Sequence, residues 1–110
     1  MTADEADPAD GLTISCAVDG VEKQRSSTSD LLFGVGVLLA VISRALILNP
    51  GDVVLTGTPG GVGVARDPVE RLSPGRVLTT SVEGVGELTN RCVAADVRAL
   101  TAPSDASPTH

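Results

Sequence analysis

Glycine and proline punctuate one stretch of this sequence so closely that they restrict how the chain can fold. The stretch is residues 49–63, Asn-Pro-Gly-Asp-Val-Val-Leu-Thr-Gly-Thr-Pro-Gly-Gly-Val-Gly. A Pro-Gly turn precedes a short apolar run, which stops at two threonines set among glycines. We interpret the run as a buried strand that delivers hydroxyls and backbone amides to a glycine-rich loop.

Thr58 lies inside this loop, between Gly57 and Pro59. Glycines let a ligand approach the backbone, and a threonine hydroxyl donates a hydrogen bond, so the loop could hold a small anion. A plain structural turn explains the same residues equally well. A nucleotide loop is disfavoured, because it would need a Gly-Lys pair or a helix directly after the glycines. From the residues alone, the loop is either an anion site or a turn.

The pattern around the loop predicts strands joined by tight turns. Residues 12–18 alternate between apolar and polar or small side chains, and Asp19-Gly20 is a strong hairpin signal before a return strand over residues 21–24. Two similar Pro-Gly corners precede two similar apolar runs, residues 53–56 and 77–80. After a glycine turn, a final strand is expected over about residues 88–97.

One helix is expected between the first hairpin and the glycine-rich loop. Ser27 followed by Asp30 resembles a capping box, which predicts a helix beginning there. The run 31–42 is apolar on most sides of such a helix, so we predict that the helix is buried. The predicted fold class is mainly β, within α+β: a β-roll or sandwich with one buried helix.

Composition excludes several classes of function. The 110 residues allow one domain at most, and their net charge of -6 argues against binding nucleic acid. The apolar run is shorter than the ~20 residues of a membrane span. Cys16 and Cys92 lack metal-ligand spacing and are interpreted as buried thiols of a reducing, cytoplasmic environment.

We expect three segments along the chain. Residues 1–11 form a flexible acidic entry, residues 12–98 the folded part, and residues 99–110 a disordered tail. The sole histidine, His110, lies in that tail, and no Gly-x-Ser-x-Gly elbow occurs. No catalytic residue is therefore assigned.

A set of motifs occurs along the chain in an order that resembles a known family. The motifs lie at residues 18–24 (Val-Asp-Gly-Val-Glu-Lys-Gln), 28–33 (Thr-Ser-Asp-Leu-Leu-Phe), 48–63, 72–75 (Leu-Ser-Pro-Gly) and 82–90 (Val-Glu-Gly-Val-Gly-Glu-Leu-Thr-Asn). Together they resemble the C-terminal half of the catalytic domain of the fumarylacetoacetate hydrolase family, over about residues 2–98. The block Leu-Thr-Gly-Thr-Pro at residues 55–59 is quite specific.

The resemblance implies a metal-dependent enzyme that uses Mg²⁺ or Mn²⁺ and acts on 2-oxo or 1,3-dicarbonyl acids. Family members hydrolyse carbon–carbon bonds, decarboxylate or isomerise, often in the breakdown of aromatic compounds and usually as homodimers. By this resemblance Thr58 binds a substrate carboxylate or keto-acid oxygen, with Gly57 in the adjoining backbone.

The family's metal-binding carboxylates and its catalytic histidine and lysine precede the region that this chain resembles, so no metal ligand is assigned. We therefore expect an incomplete domain that holds substrate contacts and is inactive alone, as a truncated product or as one half of a split enzyme. It would pair with a complementing N-terminal half or form a homodimer. The alternative is a non-catalytic assembly module or a degenerate fragment.

Overall fold

The structure is a computed structural model that describes residues 4–96 and residue 98. The described residues form a four-stranded antiparallel sheet and one α-helix. The elements are β1 (Thr13–Val18), β2 (Val21–Ser27), α1 (Val35–Ala45), β3 (Val77–Val82) and β4 (Gly86–Arg91). The strand order is β2-β1-β3-β4, with every neighbouring pair antiparallel. The mainly β fold class with one helix is confirmed.

The first hairpin turns where the sequence predicted it. Asp19 and Gly20 both have positive φ, 49° and 79°, as a tight type I′ turn requires. The Asp19 carboxylate also accepts hydrogen bonds from the Val77 amide (2.9 Å) and from Nη1 of Arg76 (2.8 Å). The turn is thereby tied to the beginning of β3, so one side chain links both hairpins.

The second hairpin joins β3 to β4 through a short glycine turn, as expected. The Val85 amide donates to the Val82 carbonyl at 3.0 Å, and Gly84 has a φ of 75°. β4 ends at Arg91, earlier than the predicted limit near residue 97, which lies outside the described residues. Pairing continues briefly beyond the strand, because Cys92 exchanges backbone hydrogen bonds with Gly75 and Arg76.

The capping box is present, but it caps a different element from the one predicted. Ser27 and Asp30 cap a short 3₁₀ turn, Thr28–Asp30, and Leu31 then leaves the helical path with a ψ of 128°. Helix α1 begins only at Val35, after an extended Gly34 with a ψ of 159°. The predicted start was therefore wrong, because the local cap stabilised one turn and the chain left the helical conformation directly after it.

No residue in the described part of the chain is buried. Helix α1 has no buried side chain, and nearby Leu32 is 88% exposed. The prediction that the helix is buried is therefore wrong for the described part of the chain. An apolar helix and a sheet need a second layer to cover them, and the described residues form no such layer.

The strand expected at residues 53–56 is not formed. Among the described residues, the amides and carbonyls of residues 53–57 have no hydrogen-bond partner, and Leu55 is 91% exposed. The preceding turn is as predicted, with Asn49 and Asp52 joined by two hydrogen bonds. A strand exists only by pairing, and this segment has no neighbouring strand within the described residues. The similar run 77–80, by contrast, lies inside β3 between two partners.

The predicted segment limits remain predictions. The described part of the acidic entry contains a 3₁₀ turn, Pro8–Asp10, capped by Asp7, and the hydroxyl of Thr28 donates to the Pro8 carbonyl. The tail 99–110 lies outside the described residues. Within the described part, no helix has the length and apolar character needed to cross a membrane.

The contacts of Asp19 predict that the stability of the fold depends on pH in the acidic range. Its hydrogen bond from the Val77 amide, and next the one from Arg76, hold the Asp19 pKa below the ordinary value of 3.8. A lowered pKa contributes stability that is complete above 3.8 and is lost as pH falls through the folded-state value. We expect Asp19→Asn to flatten the pH dependence of the urea midpoint in this acidic range. Asp10→Asn removes the same charge outside the turn and is the matched control. Equal slopes for Asp19→Asn and the native chain would contradict the role.

Candidate functional site

The glycine-rich loop lies against strand β2. The side-chain amide of Gln24, Nε2, is 2.9 Å from Oγ1 of Thr58 and 2.8 Å from the carbonyl oxygen of Pro59. Gln24 is half-buried, whereas Thr58 is exposed at the loop surface. Gly57, just before it, has a φ of 110°, a conformation that side-chain-bearing residues rarely adopt. The two predicted site residues therefore lie in a loop held from one side by a strand.

A second contact comes from Arg66, at the far end of the loop. Its Nε donates to the Gly61 carbonyl at 3.0 Å, and its Nη2 donates to the Lys23 carbonyl at 2.7 Å. The Lys23 carbonyl is available to accept this hydrogen bond because the β1–β2 register shifts there. Cys16 pairs with Gln24, but Ala17 pairs with Glu22, so Lys23 has no partner in β1. The bulge thus turns a strand carbonyl toward the loop.

Close packing of the backbone explains one of the glycines. Gly61 has a φ of 106°, and a Cβ at this position would collide with the Lys23 carbonyl oxygen. Gly60, directly before it, has open space around the corresponding position. The loop backbone can therefore approach β2 only because residue 61 has no side chain.

The charged groups beside the loop form a small cluster of ion pairs. Nζ of Lys23 lies 2.7 Å from the carboxylate of Glu70, and Nε of Arg66 lies 3.9 Å from the same carboxylate. The hydrogen bond from Lys23 lowers the pKa of Glu70, and the charges of Lys23 and Arg66 act in the same direction. Glu70 therefore stays ionised and keeps the two cations engaged at the base of the loop.

The loop itself presents hydrogen-bond donors. The backbone amides of Gly57, Thr58, Gly60 and Gly61 have no acceptor among the described residues. Pro59, in their midst, has no amide hydrogen. A run of unpaired amides beside a hydroxyl is the arrangement that accommodates a carboxylate or similar anion. These unpaired donors are compatible with the anion-site interpretation, and the roles of Thr58 and Gly57 stay predictions.

Sequence reasoning missed Gln24 and Arg66. Gln24 belongs to the hairpin motif at residues 18–24, yet nothing in that motif indicates that its side chain faces a loop 34 residues further on. Arg66 lies just beyond the glycine-rich loop, in a stretch to which the sequence analysis assigned no role. Both contacts depend on the tertiary fold, and only the unusual density of glycines near Gly61 hinted at close packing.

The described residues were searched for side chains that could together hold a metal ion. Within residues 4–96, no three His, Cys, Asp or Glu side chains lie close enough together to hold a metal ion. Cys16 and Cys92 are both free thiols, and both are only partly buried, so the burial predicted for them was wrong. The described residues therefore do not fit the divalent metal that the family resemblance implies, and no reaction step through a metal is derived for them.

Comparison with known proteins identifies the family. The family model described as "Fumarylacetoacetate (FAA) hydrolase C-terminal" matches residues 1–93. Because this match spans most of the chain, the chain belongs to the fumarylacetoacetate hydrolase family. The resemblance drawn from the motifs is confirmed.

Individual relatives agree with this assignment. The chain is 44% identical over 82 residues to the 4-hydroxyphenylacetate degradation bifunctional isomerase/decarboxylase of Escherichia coli. It superposes on a fumarylacetoacetate hydrolase from Exiguobacterium antarcticum with a TM-score of 0.82 at 39% identity, covering 86% of this chain. It also superposes on fumarylpyruvate hydrolase from Pseudomonas aeruginosa, solved with Mn²⁺ and pyruvate, with a TM-score of 0.73 at 33% identity over 84% of this chain.

The chain spans only a fraction of these proteins. It covers 18% of the Escherichia coli enzyme, 34% of the Exiguobacterium structure and 37% of the Pseudomonas structure. The named relatives thus include a hydrolase, an isomerase and a decarboxylase, and one of them binds a divalent metal together with a 2-oxo acid. Most of each relative has no counterpart in these 110 residues.

The close approach at Gly61 can be tested directly. We expect Gly61→Ala to destabilise the chain by about 1–3 kcal/mol, because the new Cβ combines an unfavourable φ with a collision against β2. Gly60→Ala, one residue away in open space, should change stability little. Urea denaturation followed by circular dichroism measures both. Equal midpoints for the two variants would refute the packing argument.

Proposed function

We propose that this chain supplies the substrate-carboxylate loop of a fumarylacetoacetate-hydrolase-family site that acts on small 2-oxo or 1,3-dicarbonyl acids. The observation that supports this most directly is the exposed hydroxyl of Thr58, held by Gln24 beside backbone amides that have no acceptor among the described residues. The identity of the relatives, and the pyruvate bound in one of them, support the same class of ligand.

The proposed role is binding and orientation. A carboxylate accepts hydrogen bonds strongly, and each such bond to a charged group contributes about 1.5–3 kcal/mol. Thr58 would donate one through its hydroxyl, and the backbone at Gly57 would lie alongside. Fixing the carboxylate in this way positions the carbonyl end of the acid toward the reacting groups. Hydrolysis, decarboxylation and isomerisation all require this orientation, so the loop alone does not select among them.

The Mg²⁺ or Mn²⁺ used by the family, which polarises a substrate oxygen when bound, would be held by groups outside the described residues. We therefore propose that activity requires the remainder of the family domain, on the same polypeptide or on another one. Alone, these residues should show no turnover.

The surface of the chain supports a complementing segment. Three apolar residues of α1, Val37, Leu39 and Val41, are exposed, as are Val53 and Leu55 of the unpaired segment 53–57. That segment also offers free backbone groups to a further strand. An open groove of about 910 Å³ also lies between the face of β1 and the loop that follows Gly61. Contiguous exposed apolar side chains are typical of an interaction surface. The remaining part of the family domain is the proposed occupant.

Two lesser parts of the hypothesis stay predictions. A cytoplasmic location rests on the interpretation of the two cysteines as thiols. The rival function, a non-catalytic assembly module or degenerate fragment, shares the exposed apolar surface but requires no role for Thr58. The two functions therefore differ in what a change at Thr58 does.

The first test replaces Thr58 in a complemented protein. The part of the Exiguobacterium relative that this chain does not cover would be joined to this chain, and hydrolysis of an acylpyruvate would be assayed with Mg²⁺ or Mn²⁺. We expect Thr58→Val to lower kcat/KM about 10- to 100-fold, because one hydrogen bond to a charged group is lost. Thr58→Ser keeps the hydroxyl and should retain most activity.

The outcomes separate the two functions. Equal activity of the Thr58→Val and Thr58→Ser proteins would refute the proposed role of the loop and favour the assembly module. Robust turnover by the isolated 110-residue chain with either metal would refute the proposal that the reaction needs groups outside it.

The second test concerns the complementing surface. Leu55→Ser should weaken association with a separately expressed complement about 10- to 100-fold, since burial of a leucine side chain contributes about 1.5–3 kcal/mol. Val85→Ser, at the tip of the second hairpin, removes another exposed apolar side chain and serves as the control. Dissociation constants measured by calorimetry decide the question, and equal effects of the two changes would place the interface elsewhere.

A further inference from the structure

The donor and acceptor of each hydrogen bond made by the Gln24 side chain can be deduced from its partners. Its side-chain amide faces the carbonyl of Pro59 at 2.8 Å, and a carbonyl oxygen can only accept a hydrogen bond. The group facing Pro59 is therefore the amide nitrogen and not the amide oxygen, since two acceptors at this distance would repel each other. This contact fixes the orientation of the side chain.

The same nitrogen lies 2.9 Å from Oγ1 of Thr58. An amide nitrogen donates and cannot accept, so Thr58 must accept this hydrogen bond through a lone pair. The hydroxyl hydrogen of Thr58 is then left to point away from Gln24. Pro59, the next residue, has no amide that could compete for the same acceptor.

We propose that Gln24 is a positioning residue that holds the Thr58 hydroxyl as a hydrogen-bond donor toward an incoming carboxylate. This inference rests on the proposed function of the loop. It adds the residue that makes the Thr58 hydroxyl the donor in its contact with the ligand. A hydroxyl that already accepts from an amide is polarised toward donation, because successive hydrogen bonds strengthen one another. The ligand selected is an acceptor, a carboxylate or enolate oxygen, and not a donor such as an ammonium group.

The position of Gln24 beside the strand bulge supports this role. Lys23, the residue that the bulge removes from the β1–β2 register, holds the loop through Arg66, and Gln24 holds it through Thr58 and Pro59. Two adjacent residues of β2 thus contact opposite ends of the loop. Removing Gln24 leaves the Arg66 contact in place, so the loop should stay attached while the hydroxyl loses its fixed direction.

The test is a double-mutant cycle in the complemented protein, with pyruvate as a competitive inhibitor. Gln24→Met should raise the inhibition constant about two- to tenfold, in line with the loss of one neutral hydrogen bond. Gln24→Glu should raise it further, because its carboxylate would accept from the Thr58 hydroxyl and repel the ligand. In a Thr58→Val background, Gln24→Met should change the constant less than about twofold. Glu22→Gln, an exposed change on the same strand, is the matched control.

A second measurement needs neither ligand nor complement. In the full chain, Thr58→Val should shift one of the two Gln24 side-chain amide proton signals upfield and leave the other, bonded to Pro59, in place. An unchanged pair of signals overturns the inference, as does a Gln24→Met effect on pyruvate that persists undiminished in the Thr58→Val background. If Thr58→Val itself leaves pyruvate inhibition unchanged, the proposed function of the loop fails first, and the role of Gln24 toward a ligand fails with it.

Discussion

Backbone pairing across the sheet is the interaction on which the rest of this structure depends. No described residue is buried, so the apolar side chains of α1 and the sheet are not stabilised by a common core. The antiparallel ladders between β1, β2, β3 and β4 supply the order instead. Side chains such as Asp19 add links between hairpins. A sheet of this kind normally needs a second layer, and its absence among the described residues is the physical reason for proposing a complementing segment.

The same ladder positions the candidate site. One register shift in the β1–β2 pairing turns the Lys23 carbonyl toward the loop and brings Gln24 to face Thr58. The loop has no regular structure except the short 3₁₀ turn that begins at Gly63, so its shape depends on Gln24, Arg66 and the close approach at Gly61. Strand geometry therefore determines where a hydroxyl and several amides point. The strand register is therefore the part of the fold on which the proposed binding of an acid depends.

Local signals predicted local structure well. Asp19-Gly20 predicted a hairpin because its residues tolerate the positive φ values that the turn requires, and Ser27 with Asp30 predicted a cap because the spacing suits reciprocal hydrogen bonds. The errors arose where structure depends on distant partners. The run at residues 53–56 has strand-forming side chains but nothing to pair with among the described residues, whereas the similar run in β3 has two partners. Propensity cannot distinguish these two cases.

The amino-acid sequence by itself determined the family, the turns and the identity of the loop as a place where glycines surround a threonine. Those conclusions rest on short motifs whose physical meaning is local. The tertiary structure alone decided that Gln24 and Arg66 hold the loop, that Gly61 must lack a side chain, and that the apolar helix lies uncovered in the described part of the chain. Each of these depends on residues far apart in sequence meeting in space, and such contacts are set by strand register and by the presence or absence of a packing layer.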